Sequence, residues 1–220
     1  MQRVFLLSPA RSRGKRAELI FNPQARFALA RALHQGRAVA VSDIFSFLSG
    51  LYFRGKIAYA RAYARTPGGT EGIHIITTNR GLISAEMAVT LPELAAFGAV
   101  EIDHRDDRYR GPLERDARTL AEKLGPTGEA VLLGSIGTKK YVDVLLAALG
   151  ERLMFPVDFV GRGDMSRGAL LLRSAADGPE LMYAAVANSV RRGKRPPRLA
   201  PRSWIGTQYA FEASPQEEQA

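Results

Sequence analysis

The chain has 220 residues, 46% of them hydrophobic and 24% charged, which is the composition of an ordinary globular protein with a sizeable core. It contains no cysteine, which excludes disulfides, thiolate catalysis and thiolate metal sites, and its three histidines are too widely spaced to indicate a zinc site. Lysine and arginine total 31 against 22 acidic residues, so the formal net charge of +9 favours polyanionic partners such as nucleic acid or nucleotides.

The first half of the chain predicts two buried strands separated by helices. Residues 4–7 (VFLL) form an apolar run followed by the basic loop PARSRGKR; this order is wrong for a secretory signal, so we predict a first strand and a cytoplasmic protein. Helical periodicity then begins at Pro23 and again at Ser42-Asp43, where Gly50 and Gly55 are expected to interrupt the second helix. Residues 73–77 (IHIIT) predict the second strand, which the polar turn TNRG ends.

The second half repeats this alternation. It predicts short strands at 100–102, 130–133 and 153–155, and helices at 113–124, 141–149 and 180–190. From residue 191 the sequence turns basic and proline-rich, so we predict an α/β domain over residues 1–190 and a basic arm with a polar terminus over residues 191–220. The alternation predicts a single compact α/β domain whose mixed or largely parallel sheet is flanked by helices and carries a basic cleft. No apolar run approaches the roughly 20 residues that span a membrane, so no membrane partner is expected.

Polar and cationic loops follow four of the predicted strands, at residues 8–16, 78–81, 135–140 and 161–167. Ligands of α/β sheets gather beyond the carboxyl ends of the strands, so these loops are the predicted binding site. The candidate ligand-binding residues are Ser8, Arg11, Asn79, Arg80, Thr138, Lys139, Lys140, Tyr141, Arg162, Ser166 and Arg167.

Three of these loops have structural interpretations of equal or greater weight. Taken alone, the basic loop at residues 8–16 is more typical of a solvated charge run than of a binding site. The loop GSIGTKK lacks the order of a Walker A motif; it suits an anion site at a helix start, but Thr138 would equally serve as an N-cap ahead of two solvated lysines. Asn79 would read a base edge or simply close an Asx-turn.

The stretch GRGDMSRG, residues 161–168, contains the tripeptide that adhesion ligands present to integrins. Nothing in the sequence indicates export, so we predict no integrin partner. We interpret the stretch as a cleft loop in which Arg162 and Arg167 face an anion and Asp164 positions them. Asp164 is the predicted acid or base if the protein is an enzyme, and an arginine–aspartate pair that fixes a turn is the alternative.

No metal and no cofactor are predicted. Asp103, Asp106 and Asp107 cluster around His104, but the flanking arginines favour a charged surface turn over a divalent metal site. The basic arm would contact phosphates without sequence preference, and Trp204 and Tyr209 would stack on bases; a docked or solvated tail is the alternative.

Several motifs, taken in order, resemble the YaaA-like peroxide-stress proteins and related uncharacterised bacterial and phage families. They are LLSPAR, GLYFRGKIAYARAYA, TTNRGLI, LLGSIGTKKYVDVL and, in GRGDMSRG, an Arg-Gly-x-Met-Ser-Arg pattern, and together they cover roughly residues 3–173 in pieces. The resemblance implies a compact α/β fold with a positively charged cleft, DNA binding and a role in limiting oxidative damage. It also implies a distant likeness to nucleobase-handling enzymes such as DNA glycosylases.

The chain departs from the family pattern in several places. Arg11 stands where a lysine is expected after Ser-Pro-Ala, the lysine-rich lead into the last motif is reduced to Val160-Gly161, and Asp164 adds an acid. Less chain is present for an inserted helical DNA-binding piece. We therefore expect a stress-related nucleic-acid-binding protein, with DNA favoured over RNA. The alternative is an enzyme that acts on a nucleotide or nucleobase-like substrate in the same cleft.

Overall fold

The computed structural model describes residues 2–66 and 71–199. The strands in this part of the chain are β1 (Arg3–Leu7), β2 (Val39–Ala40), β3 (Ile73–Ile76), β4 (Leu82–Ser84), β5 (Ala88–Val89), β6 (Glu129–Leu133), β7 (Leu153–Pro156) and β8 (Tyr183–Ala185). The helices are α1 (Lys15–Phe21), α2 (Ala28–His34), α3 (Val41–Ser49), α4 (Leu51–Tyr63), α5 (Leu91–Ala99), α6 (Asp107–Leu124), α7 (Lys139–Leu149) and α8 (Asp164–Asp177). None of these helices has both the length and the apolar composition needed to span a bilayer.

Six strands form the main sheet in the order β4-β3-β1-β6-β7-β8, and β2 pairs with β5 in a separate small sheet. The four inner strands are parallel, whereas β4 and β8 run antiparallel at the two edges. The predicted α/β fold with a mixed, largely parallel sheet is therefore confirmed. The chain passes from β1 to β3 on one side and later to β6 on the other, so the carboxyl end of β1 is the topological switch point of the sheet.

Helices cover both faces of the sheet because the inner strands are apolar on both sides. Phe5 and Leu7 of β1 point into one core with α3, α4, α5 and α8, whereas Val4 and Leu6 point into the other with α6 and α7. This alternation along one strand produces three layers: helices, sheet and helices.

Two glycines bring α4 and α8 unusually close. A Cβ built on Gly55 would lie 2.7 Å from the Gly168 carbonyl oxygen, and one built on Gly168 would lie 2.8 Å from the Tyr52 Cα. The backbones of α4 and α8 therefore touch, which fixes the position of α4 beneath the end of β1. Gly55 lies inside α4, so the predicted interruption there is wrong; Gly50 does interrupt the helix, with a φ of 65°.

Several other element predictions need correction. Residues 180–190 do not form a helix, because Tyr183 lies in strand β8 and pairs with Pro156 of β7. The Tyr183 hydroxyl also lies 2.5 Å from the Tyr59 hydroxyl. Residues 100–102 form no strand, and the helix predicted at 113–124 begins at Asp107, capped by the Asp106 side chain. The helix expected at Pro23 begins at Ala28, and helix α1, which was not predicted, begins at Lys15, at the end of the predicted basic loop.

The stretch GRGDMSRG is not wholly a loop. Gly163 is the N-cap of α8, so Asp164, Ser166 and Arg167 lie in the first turns of a helix. An acid at the first position of a helix is favoured by the helix dipole, which gives Asp164 a structural reason to be there.

Candidate functional site at the carboxyl edge

The carboxyl ends of the four parallel strands meet at one edge of the main sheet, which we call the carboxyl edge. Ser8 follows β1, Thr77 follows β3, Gly134 follows β6 and Val157 follows β7. The predicted candidate loops therefore do come together at one edge, as the carboxyl ends of parallel strands must.

Lys56 lies at the centre of this edge and was missed by the sequence analysis. Its side chain is 1% exposed, and its Nζ lies 2.7 Å from the Ser8 backbone oxygen and 2.9 Å from the Ser8 Oγ. The rings of Tyr52 and Phe53 pack against the ammonium at 4.5 and 4.7 Å. The sequence held a usable signal, because Phe53, Lys56, Ile57 and Ala60 repeat at the spacing of a buried helix face and only Lys56 is charged.

Burial lowers the pKa of Lys56 to about 7. Asp164 of α8 opposes this shift and Arg167 of the same helix adds to it. Lys56 makes no ion pair with any carboxylate in the described chain, so desolvation dominates. The amine can therefore exist in either protonation state near neutral pH.

Tyr141 of α7 closes the other side of Ser8. Its hydroxyl accepts a hydrogen bond from the Ser135 backbone N–H at 3.0 Å. Burial raises the pKa of Tyr141, and the adjacent Ser135 N–H and Ser8 side chain lower it in part. A Cβ on Gly134 would lie 2.8 Å from the Ser8 Cβ and 3.0 Å from the Tyr141 hydroxyl, so only glycine leaves room for this arrangement. Two predicted residues, Ser8 and Tyr141, thus lie together.

Arg167 also lies beside this group. It donates through Nε and Nη2 to the Phe159 backbone oxygen at 3.2 and 3.0 Å, and only 12% of its side chain is exposed. The buried Tyr52 hydroxyl faces Arg167, but no described group completes a well-formed hydrogen bond with it. Burial raises the pKa of Tyr52. Asp164 is 71% exposed and lies 3.6 Å from Arg167, so the structure places it at the rim.

Of the remaining predicted cations of this edge, Arg11, Lys139 and Lys140 are exposed and Arg162 is half-buried. Lys139 and Lys140 begin α7, where Thr138 caps the helix by accepting from the Lys140 N–H at 3.2 Å. The N-cap interpretation of Thr138 is therefore confirmed, and an anion site there stays a prediction. Arg11 is exposed, and Arg162 donates to the Asp158 and Pro197 backbone oxygens and to Ser166 Oγ.

The turn after β3 is fastened to α5. Asn79 Nδ2 donates to the Ala96 backbone oxygen at 3.1 Å, and Arg80 Nη2 donates to Glu93 at 2.7 Å. These contacts give both side chains a structural role. The Asn79 Oδ1 is buried without a hydrogen-bond partner among the described residues, which keeps its ligand-binding role open as a prediction.

The described part of the basic arm runs along the same edge. A Cβ on Gly161, whose φ is 74°, would meet the Lys194 backbone oxygen, and Gly137 faces the Arg191 backbone oxygen. Arg191 also lies 3.5 Å from Asp143 of α7. The arm thus adds exposed cations to the edge: Arg192, Lys194, Arg195 and Arg198. The predicted stacking residues Trp204 and Tyr209 lie outside the described residues.

Acidic side chains elsewhere in the described chain are largely paired with arginine. At the opposite edge of the sheet, Arg3 contacts both Glu129 and Glu180. In the predicted charged turn, hydrogen bonds from Arg105 lower the pKa of Asp103 to about 2. Arg13 lies 2.6 Å from Glu101. The acidic side chains of the loop at 101–105, which borders Lys139 and Lys140, are therefore already paired with arginines.

In contrast, a set of exposed cations at the carboxyl edge makes no ion pair in the described chain. These residues are Arg11, Lys139, Lys140, Arg192, Lys194, Arg195 and Arg198. Exposed cations without an ion pair also lie elsewhere in the described chain, among them Arg26, Arg37 and Arg54, so the carboxyl edge carries one part of the excess positive charge.

Neither family models, nor curated proteins, nor solved structures gave a match to this chain.

Proposed function

We propose that this chain binds nucleic acid in the cytoplasm, DNA in preference to RNA, along the carboxyl edge of its main sheet. The observation that supports this most strongly is the set of unpaired cations gathered at that edge. Each lysine or arginine that contacts a phosphate releases counterions from the polyanion, so such a surface binds with an affinity that falls steeply with salt.

The loops supply further groups that suit a phosphodiester ligand. The first turn of α7 presents backbone N–H groups at the positive end of a helix dipole, next to Lys139 and Lys140. Two further cations lie beside this surface: Arg162, half-buried just before α8, and the largely buried Arg167 in its first turn. The described arm continues it along α7 and the loop that precedes α8.

A fluorescence-anisotropy titration over a salt series tests this proposal. Single-stranded, duplex and four-way-junction DNA are compared with RNA of the same length. The variant K139E/K140E should bind all DNA sequences more weakly, and its slope of log affinity against log salt should be smaller by up to about two.

The matched control is R118E/K123E, which makes the same charge change on α6, where both residues are exposed and distant from the carboxyl edge. It should keep the salt slope of the parent. Equal weakening by both double variants would show that only total charge matters, and no binding by the parent would remove the proposal.

The arm is tested in the full chain by R192Q/K194Q/R195Q/R198Q. Loss of most of the affinity in this variant would assign binding to the arm, whereas a modest loss supports a site built mainly by the loops. The stress-related role implied by the family resemblance belongs to the same proposal. It predicts that a deletion strain is more sensitive to peroxide and that K139E/K140E does not complement it.

A further inference from the structure

Three polar groups from different elements meet at the switch point of the sheet. They are the Ser8 hydroxyl at the end of β1, the Lys56 amine in α4 and the Tyr141 hydroxyl in α7. Ser8 is 7% exposed and Tyr141 is 6% exposed, so the group is buried and keeps only a small accessible fraction at the carboxyl edge. We propose that Ser8 and Lys56 form a nucleophile–base pair that transfers the acyl group of a carboxylic ester or thioester.

The distance between the two side chains suits proton transfer. Nucleophile and base must lie within about 2.6–3.2 Å, and the Lys56 Nζ lies 2.9 Å from the Ser8 Oγ. A third group orients the base, because the Ser8 backbone oxygen accepts from the same Nζ at 2.7 Å. A neutral amine can donate one proton to that oxygen and direct its lone pair at the Ser8 hydroxyl.

The surroundings lower the pKa of the amine, so its neutral fraction grows as the pH rises through about 7. Tyr52 faces it from its own helix, Tyr141 lies across Ser8 on α7, and Asp164 and Arg167 act on it from α8. The last two have opposite charge, so their effects on Lys56 partly cancel and burial remains the main influence. The neutral form of such a lysine can act as a general base.

Two buried hydroxyls are available to donate to an oxyanion. Tyr141 accepts from the Ser135 N–H and keeps its own proton for a new acceptor. The Tyr52 hydroxyl is buried without a hydrogen-bond partner in the described chain. Preorganised donors of this kind stabilise the negative charge of a tetrahedral intermediate.

The reaction balances without a cofactor. The Ser8 Oγ forms a bond to the acyl carbon while its proton passes to Lys56, and the carbon–oxygen or carbon–sulfur bond of the leaving group then breaks. Lys56 returns the proton to the leaving alkoxide or thiolate. Water, deprotonated by the same amine, hydrolyses the acyl-serine to release the acid and restore Ser8. This activity does not depend on the nucleic-acid binding proposed above.

Covalent labelling with a fluorophosphonate probe tests the proposal. The probe should phosphonylate Ser8 with loss of fluoride, as followed by intact mass and peptide mapping, and the rate should rise with pH through about 7, the pKa of Lys56. S8A should abolish the label, whereas S84A, a serine in the edge strand β4, should keep it. K56M should label about 100-fold more slowly or worse, because a general base typically contributes that much.

A second measurement covers the case in which K56M does not fold. The chain has no cysteine, so S8C and S84C each carry a single thiol. In native protein at pH 7, S8C should react with iodoacetamide faster than S84C, because the adjacent amine takes the thiol proton. An unlabelled Ser8 together with an S8C thiol no more reactive than that of S84C would overturn the proposal, as would K56M labelling at the parent rate. DNA titrations of the parent protein report separately on the nucleic-acid proposal, since labelling of Ser8 is measured without DNA.

Discussion

Replacing Lys56 by methionine should change how the stability of the protein depends on pH. Lys56 has a pKa of about 7 in the folded protein, against 10.5 for an ordinary lysine. Between these values the unfolded chain binds one proton more than the folded chain, so this residue makes the free energy of unfolding rise with pH by about 1.4 kcal/mol per pH unit. Over the whole window, the penalty for charging buried Lys56 amounts to something on the order of 5 kcal/mol.

Because the pKa of Lys56 is lowered in the folded protein, its contribution to the free energy of unfolding increases with pH. The penalty is complete below about pH 7, shrinks as the pH rises towards 10.5, and is absent above it. K56M cannot pick up a proton at this position, so the parent should gain stability relative to K56M as the pH increases from 7 to 10. At high pH the parent should be the more stable protein, because K56M leaves the Ser8 backbone oxygen without the donor that it has in the parent.

Urea denaturation at half-unit steps from pH 6 to 10.5 measures this difference directly. The control is K123M, which removes a lysine from the exposed side of α6 and should leave the pH profile parallel to that of the parent. Parallel profiles for parent and K56M would refute the reasoning, since they would mean that Lys56 has an ordinary pKa in the folded protein.

Three further substitutions test the packing around the site. Gly168→Ala would place a Cβ 2.8 Å from the α4 backbone, so we expect a loss of roughly 1–3 kcal/mol in chemical denaturation; a stability equal to the parent would show that α4 and α8 are not in contact. Gly134→Ala would press on Ser8 and Tyr141, and it should suppress labelling of Ser8 by the fluorophosphonate probe; undiminished labelling would contradict the proposed geometry. Thr90→Ala removes the capping box of α5, and it should lower the free energy of unfolding by about 1 kcal/mol in chemical denaturation. An unchanged free energy of unfolding would show that the cap is not formed.

The sequence predicted the fold class because that information is local. Apolar runs at 4–7, 130–133 and 153–155 alternate with amphipathic helices, and this pattern alone indicates a largely parallel sheet covered on both faces. It also indicated that the polar loops after these strands share one edge. Edge strand β8 was mistaken for a helix because its extended conformation comes from pairing with β7, a contact that the local sequence does not encode.

The residues of the site were predicted less well than the loops. Asn79 and Arg80 bind α5, whose position depends on tertiary packing. Lys56 was missed because the sequence shows a charge on a buried helix face but not which strand end that face meets. The close approach of Gly55 and Gly168 places the Lys56 face of α4 at the end of β1. This contact joins segments more than 100 residues apart, so the local sequence does not reveal it.

Hydrogen–deuterium exchange of the full chain, with and without a saturating DNA duplex, tests most directly whether the carboxyl edge is the functional surface. We predict that DNA slows exchange in peptides covering residues 8–16, 134–140 and 157–167, while the opposite edge around Arg3 and Glu129 is unchanged. Slowed exchange confined to other surfaces, or no change at saturation, would contradict the account.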